Sequence, residues 1–136
     1  ASFITTDANV LNTTYDAAKS YDVYRSFLAT NPTVQIIQNV DIGAEHADRA
    51  IESLGMQGKV FTVGWNNSYG QLDAIEKGIQ IAEFDQRWPD QAAFGAVACA
   101  ALFKNGEILP NTQTLKPVLK DGVAEARKEL DQTMGQ

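Results

Sequence analysis

A chain of 136 residues that is 44% hydrophobic and 21% charged holds enough apolar material for one folded domain, and too much to remain disordered. Eleven basic against seventeen acidic residues leave a net charge of -6, which repels phosphate backbones and argues against nucleic-acid binding. No apolar run approaches the ~20 residues that span a bilayer, and one cysteine, Cys99, can form neither an internal disulfide nor a cysteine-based zinc site.

Taken in chain order, apolar runs alternate with amphipathic stretches. Phe3-Ile4-Thr5-Thr6 reads as a short strand. A helix follows with Ala17, Tyr21, Tyr24 and Leu28 along one face, and Asn31-Pro32 stops it. Val34 to Ile37 is a second strand, and the next helix places Ala47, Ala50, Ile51 and Leu54 on one stripe before Gly55. Lys59 to Gly64 is a third strand. Ser68-Tyr69-Gly70-Gln71 then has the S-x-x-Q spacing of a capping box, opening a helix with Leu72 and Ile75 inward and Gly78 at its end. Ile79 to Phe84 is a fourth strand. Pro89-Asp90 starts a long helix expected to turn Phe94, Val97, Ala98, Ala101 and Leu102 to the core, with Cys99 buried on it and Asn105-Gly106 closing it. Thr114 to Leu119 is a fifth strand whose Pro117 predicts an edge or hinge position. Asp121 is expected to cap a last helix carrying Val123, Ala126, Leu130 and Met134 on one side. Five β-α steps predict an α/β fold of three layers (αβα) around a mostly parallel sheet.

In such a sheet ligands sit at the carboxyl ends of the strands, here the loops Asp7–Thr14, Gln38–Gly43, Trp65–Ser68 and Asp85–Asp90. None of these carries G-x-G-x-x-G or G-x-x-x-x-G-K-[ST], so no phosphate cradle or nucleotide cofactor is expected. No G-x-S-x-G elbow is present, and the sole histidine, His46, would have to serve every triad or metal scheme; it reads as a surface or packing residue at the start of a helix. Asp41 and Glu45 are explained by the adjoining helix N-terminus. The loops are instead dense in Gln38, Asn39, Asp41, Asn66, Asn67, Ser68 and Gln86, with Trp65 and Trp88 beside them. Amides that both donate and accept, flanked by an aromatic ring, suit a ligand made of hydroxyl groups on an apolar frame. Trp65, which continues a strand, reads first as core; Trp88 stands closer to a ligand contact.

The order Asp41…Ala47-Asp48-Arg49-Ala50-Ile51, Val63-Gly64-Trp65-Asn66 and Gly78-Ile79…Phe84-Asp85-Gln86-Arg87-Trp88-Pro89-Asp90-Gln91…Gly95 resembles the C-terminal half of type-1 periplasmic solute-binding proteins. That group includes the ribose- and galactose-binding proteins serving ABC importers. The resemblance covers about residues 1–120. It implies a non-enzymatic binding protein without cofactor or metal, for a sugar, polyol or similar solute, that works by hinge closure between two lobes. Its partners would be a membrane permease or a chemoreceptor, in the periplasm. It also implies that the chain is a fragment lacking the N-terminal lobe, in keeping with a start that has no signal-peptide pattern. Residues 1–88 would be the latter part of the C-terminal lobe, 89–113 a helix and loop belonging to the N-terminal lobe, and 114–136 a return strand and helix.

By the same resemblance, Asp41 matches the second member of an Asn-Asp pair, with Val40 in place of the first and Asn39 one residue earlier. Asn66 stands where an aspartate usually holds sugar hydroxyls, and Gln86 matches the glutamine at the lobe crossing. The implied contacts are therefore Asn39, Asp41, Asn66, Gln86 and Trp88. Two other readings stay open: the effector-binding region of a sugar-responsive repressor, which needs a helix-turn-helix headpiece, and a flavodoxin- or receiver-like domain, with Asp7, Asp41 and Asp85 near strand ends.

Overall fold

The computed structural model describes residues 10–40, 43–110 and 115–134. The strand expected at Phe3–Thr6, residues Asp41 and Thr114, and the first part of the Asp7–Thr14 loop lie outside them. The elements run α1 (Ala17–Thr30), β1 (Ile36–Gln38), α2 (Ala44–Ser53), β2 (Phe61–Trp65), α3 (Tyr69–Glu76), β3 (Gln80–Asp85), α4 (Trp88–Asn105), β4 (Lys116–Val118), a 3-10 turn (Lys120–Gly122) and α5 (Val123–Met134). The strands form one sheet in the order β1-β2-β3-β4. The first three are parallel, and β4 adds to the edge antiparallel to β3, with Pro117 opposite Phe84. An edge strand tolerates the amide that proline lacks.

Register explains which side chains go inward. Ile37 is level with Thr62, and Thr62 with Gln80, whereas Gly64 is level with Glu83 and Glu83 with Val118. Between them the β2–β3 register slips. The extra residue, Ile81, is left half-exposed, and Gln80 and Glu83 point to the same face although three apart. Both core clusters lie on this face. One joins Tyr24 and Leu28 of α1 to Ile37, Ala47, Ala50, Ile51, Val60 and Ile79. The other joins Leu72 and Ile75 of α3 to Val118, Val123 and Ala126, with Leu130 partly covered. The opposite face carries Ile36 level with Phe61, and Trp65 level with Phe84, all incompletely covered. Within the described residues the αβα sandwich is thus filled on one side.

Local chemistry sets the helix ends. Asp16 caps α1 by accepting from the Lys19 amide at 3.0 Å. Ser68 caps α3 by accepting from the Gln71 amide at 3.2 Å. The reciprocal half of the capping box does not form: Gln71 Nε2 donates to the Trp65 carbonyl at 2.9 Å, where β2 has run out of strand partners. Gly78 ends that segment at φ +75°, a conformation open to glycine at little cost.

Four expectations are corrected. No residue of α4 is buried, so Phe94, Val97, Ala98, Ala101 and Leu102 do not face a core within these residues. The helix is apolar nearly all round, and its sequence pattern could not say that no other described element covers it. Cys99 on this helix is exposed for the same reason. Asp121 lies inside the 3-10 turn rather than capping α5, and Ala17 on α1 is exposed, its inward place taken by Ser20, which donates to the Thr14 carbonyl at 2.6 Å. Among the described residues no helix is long and apolar enough to cross a membrane.

Candidate functional site

Because β1, β2 and β3 are parallel, their carboxyl ends bring three loops to one edge of the sheet. Backbone hydrogen bonds carry the pairing to the last strand residues: the Asn39 amide donates to Val63 O at 2.9 Å and the Asn66 amide to Phe84 O at 3.1 Å. Beyond those bonds the chain turns sharply. Asn66 (φ 86°), Asn67 (φ 30°) and Arg87 (φ 52°) all take positive φ. Asparagine enters this region more readily than most residues, whereas a left-handed arginine costs of order 1 kcal/mol and marks a place where the surroundings dictate the backbone.

Two sequence-expected residues are brought together here. Gln86 Nε2 donates to Asn66 Oδ1, joining the loops after β2 and β3. Gln91 Nε2, one turn into α4, donates to the Gln86 carbonyl at 2.6 Å and fixes the backbone behind it. The Arg87 amide donates to Asp85 Oδ1 at 2.7 Å, and its guanidinium pairs with Asp90 at 2.5 Å, so the crossing into α4 is held from both sides. Trp88 opens α4 with 62% of its surface exposed, an aromatic face unclaimed by any core. Trp65 packs its ring against Phe84 with centroids 5.5 Å apart.

Asn39 is placed differently. It follows Ile37 by two residues and turns inward, 4% exposed, where the Tyr24 hydroxyl donates to its Oδ1 at 2.5 Å. Its Nδ2 is buried without a partner, and burial pushes the Tyr24 hydroxyl's pKa up. Asn39 thus braces β1 against α1 rather than joining Asn66 and Gln86; Asp41 lies outside the described residues. His46 is half-buried in the first turn of α2. Among the described residues no cluster of histidine, cysteine and carboxylate side chains has metal-holding geometry.

At the sequence level Asn67 stands out only as a polar loop residue and Arg87 only within a motif; that their positive-φ backbones shape both loops is missed. The Asn66-Asn67 pair directly after a strand was a usable turn signal; nothing in the local sequence marks Arg87. A concavity of about 670 Å³ lined by Pro32, Gln35, Ile36, Lys59 and Phe61 lies at the other end of the sheet. It opens to solvent where the parallel strands begin, the end from which ligands in this sheet class are usually absent.

No protein-family model matches the chain, and no curated protein does. Solved structures do. An ABC transporter periplasmic solute-binding protein from Actinobacillus succinogenes with bound D-allose superposes with a TM-score of 0.70 at 20% identity, covering 82% of this chain and 40% of its own. A galactofuranose-binding protein gives 0.73 at 17% identity, with 88% and 43% covered. An ABC transporter solute-binding protein from Bacillus halodurans with bound myo-inositol gives 0.69 at 20% identity, with 84% and 40% covered. The chain therefore has the type-1 periplasmic-binding-protein fold, over about 40% of the length of the structures it matches.

Proposed function

We propose that this chain is part of the non-catalytic solute-binding component of an ABC importer and contributes one side of a clamp for a sugar, polyol or similar small polar ligand. The observation that carries the reading is the Asn66–Gln86 pair at the carboxyl edge of the parallel sheet, in a fold whose solved relatives hold sugars and an inositol. Two neutral amides offer donors and acceptors together without the desolvation cost of a charge, which suits vicinal hydroxyls. Trp88 beside them supplies an apolar face for the C–H side of a ring.

The fold's sheet-edge geometry supports residues 1–88 as lobe, and the bareness of α4 supports residues 89–113 as a helix and loop that pack on a second lobe, with 114–136 returning. Hinge closure between lobes would then complete the site, in an extracytoplasmic compartment, and the closed form would be read by a permease or chemoreceptor.

The test is isothermal titration with a panel of pentoses, hexoses and inositols on the longest polypeptide that carries this sequence. Asn66→Ala and Gln86→Ala are each expected to weaken the best binder by ~1–3 kcal/mol, because each strands a polar partner. Unchanged affinity in both variants overturns the site.

A further inference from the structure

Beneath the α2–α3 layer lies an acidic arrangement that the binding reading does not use. Glu83 of β3 is 0% exposed, and apart from a loose approach by the Ser68 backbone amide neither carboxylate oxygen has a hydrogen-bond partner. Asp48 of α2 is 4% exposed; its Oδ1 accepts from Thr62 Oγ1 at 2.5 Å, while its Oδ2 has no partner. Both sit on the core face that the β2–β3 register slip loads with polar groups, next to buried Thr62, Gln71 and Gln80.

The charges facing these two are mostly negative. Glu83 meets Glu45 from α2 and Asp85 from its own strand, with the Ser68 backbone amide at the start of α3 as partial relief; β4 offers it Val118. Asp48 meets Glu45 and Glu52 of its own helix, and of the cations only Lys77 weighs on it. Lys77 is engaged at the surface by Glu52, at 3.1 Å. Of the other cations around the seam, Arg127 of α5 is held by Asp73 and Glu76, and Lys116 of β4 by Glu129. Arg49, which lines the same cavity as Asp48, lies over the Tyr21 ring, 5.5 Å from its centroid. A buried carboxylate without a cation or a set of donors is costly enough that it holds its proton instead.

We propose that Glu83 and Asp48 form a proton-operated latch: below neutral pH the folded chain carries both carboxyls protonated, and their ionisation as pH rises loosens the α2–α3 seam and the Asn66–Ser68 turn above it. The route upward is short. Ser68 donates to Glu45, the carboxylate facing both buried acids, and the same Ser68 caps α3 directly after Asn66-Asn67. A cavity of about 160 Å³ between α2 and α3, whose charged lining is Glu45, Asp48, Arg49, Glu52, Asp73 and Lys77, has room for water and gives Asp48 its route for the proton. Glu83 does not line it and couples to it through Glu45.

Desolvation, reinforced by those neighbours, pushes Glu83 up to about 8 and Asp48 up to about 7. The sign follows. Between the ordinary carboxylate range and these values the folded chain binds more protons than the unfolded one, so stability falls as pH rises through that window. Each retained proton shifts the unfolding constant by about tenfold per pH unit. Most such domains are instead flat or gain stability as carboxylates ionise.

Carbon-13 NMR titration of the side-chain carboxyls in the unmodified chain is the direct test. Midpoints near pH 8 for Glu83 and near pH 7 for Asp48, with the Asn67 and Ser68 amide shifts following Glu83, support the latch. Midpoints at the ordinary 4–5, or Asn67 and Ser68 shifts that ignore them, overturn it. Urea unfolding gives a second readout: stability should drop from pH 5.5 to 8.5, and Glu83→Gln and Asp48→Asn should each flatten the drop. An unchanged slope in both folded variants overturns the latch, and the NMR titration decides alone if either variant fails to fold. No ligand enters these measurements, so their outcome and that of the sugar titrations are independent.

Discussion

Helix α2 carries a narrow apolar stripe and α4 is apolar nearly all round, yet it is α2 that is covered. In α2, Ala44, Ala47, Ala50 and Ile51 are sealed against β1, β2 and α1; in α4, eighteen residues long, nothing is buried, and Phe103 stands 85% exposed. The difference is one of partners rather than of sequence hydrophobicity. An apolar stripe commits a helix to be covered but does not name the cover. For α2 the cover is encoded within the chain, whereas α4, among the described residues, presents an uncovered apolar surface larger than single scattered side chains account for.

The contrast can be broken by substitution. Truncating the covered layer should have the largest effect: Leu72→Ala, at a fully buried site, is expected to cost ~2–5 kcal/mol in urea unfolding. A loss under ~1 kcal/mol would mean that the layer is looser than its burial indicates. Gly64→Ala comes next. A methyl there would run into the side-chain ends of Gln71 and Gln80, both buried and hydrogen-bonded to each other at 3.4 Å, so about 1–3 kcal/mol is expected. Leu102→Ala on α4 should be smallest, within about 0.5 kcal/mol for this chain. A large loss there would show that α4 is covered after all.

Much of the fold was legible because its signals are local. Ser68 caps a helix, Gly78 ends one, Pro117 sits on an edge strand, and the parallel strands follow from alternating β and α segments. What failed was non-local. The bareness of α4 depends on which elements come near it, and the inward turn of Glu83 on a register slip at Ile81 that a period-two reading cannot see. Asn39 lies between these cases. Two residues after an inward Ile37, its side chain should point inward too, and strand alternation alone would have separated it from Gln86. Asn66 and Gln86 are two of several polar residues that fall on one edge after parallel strands, and the family resemblance singles them out; their direct hydrogen bond depends on the loop geometry set by Asn67 and Arg87.

The central claim is that ligand meets this chain at the carboxyl edge of its sheet. Nitrogen-15 shift mapping during titration with the sugar and inositol panel, on the longest polypeptide carrying the sequence, tests it most directly. Perturbations should concentrate at residues 66–68 and 86–88 and leave the opposite groove at Pro32–Ile36 quiet. Perturbations confined to that groove, or none with any member of the panel, would contradict the claim.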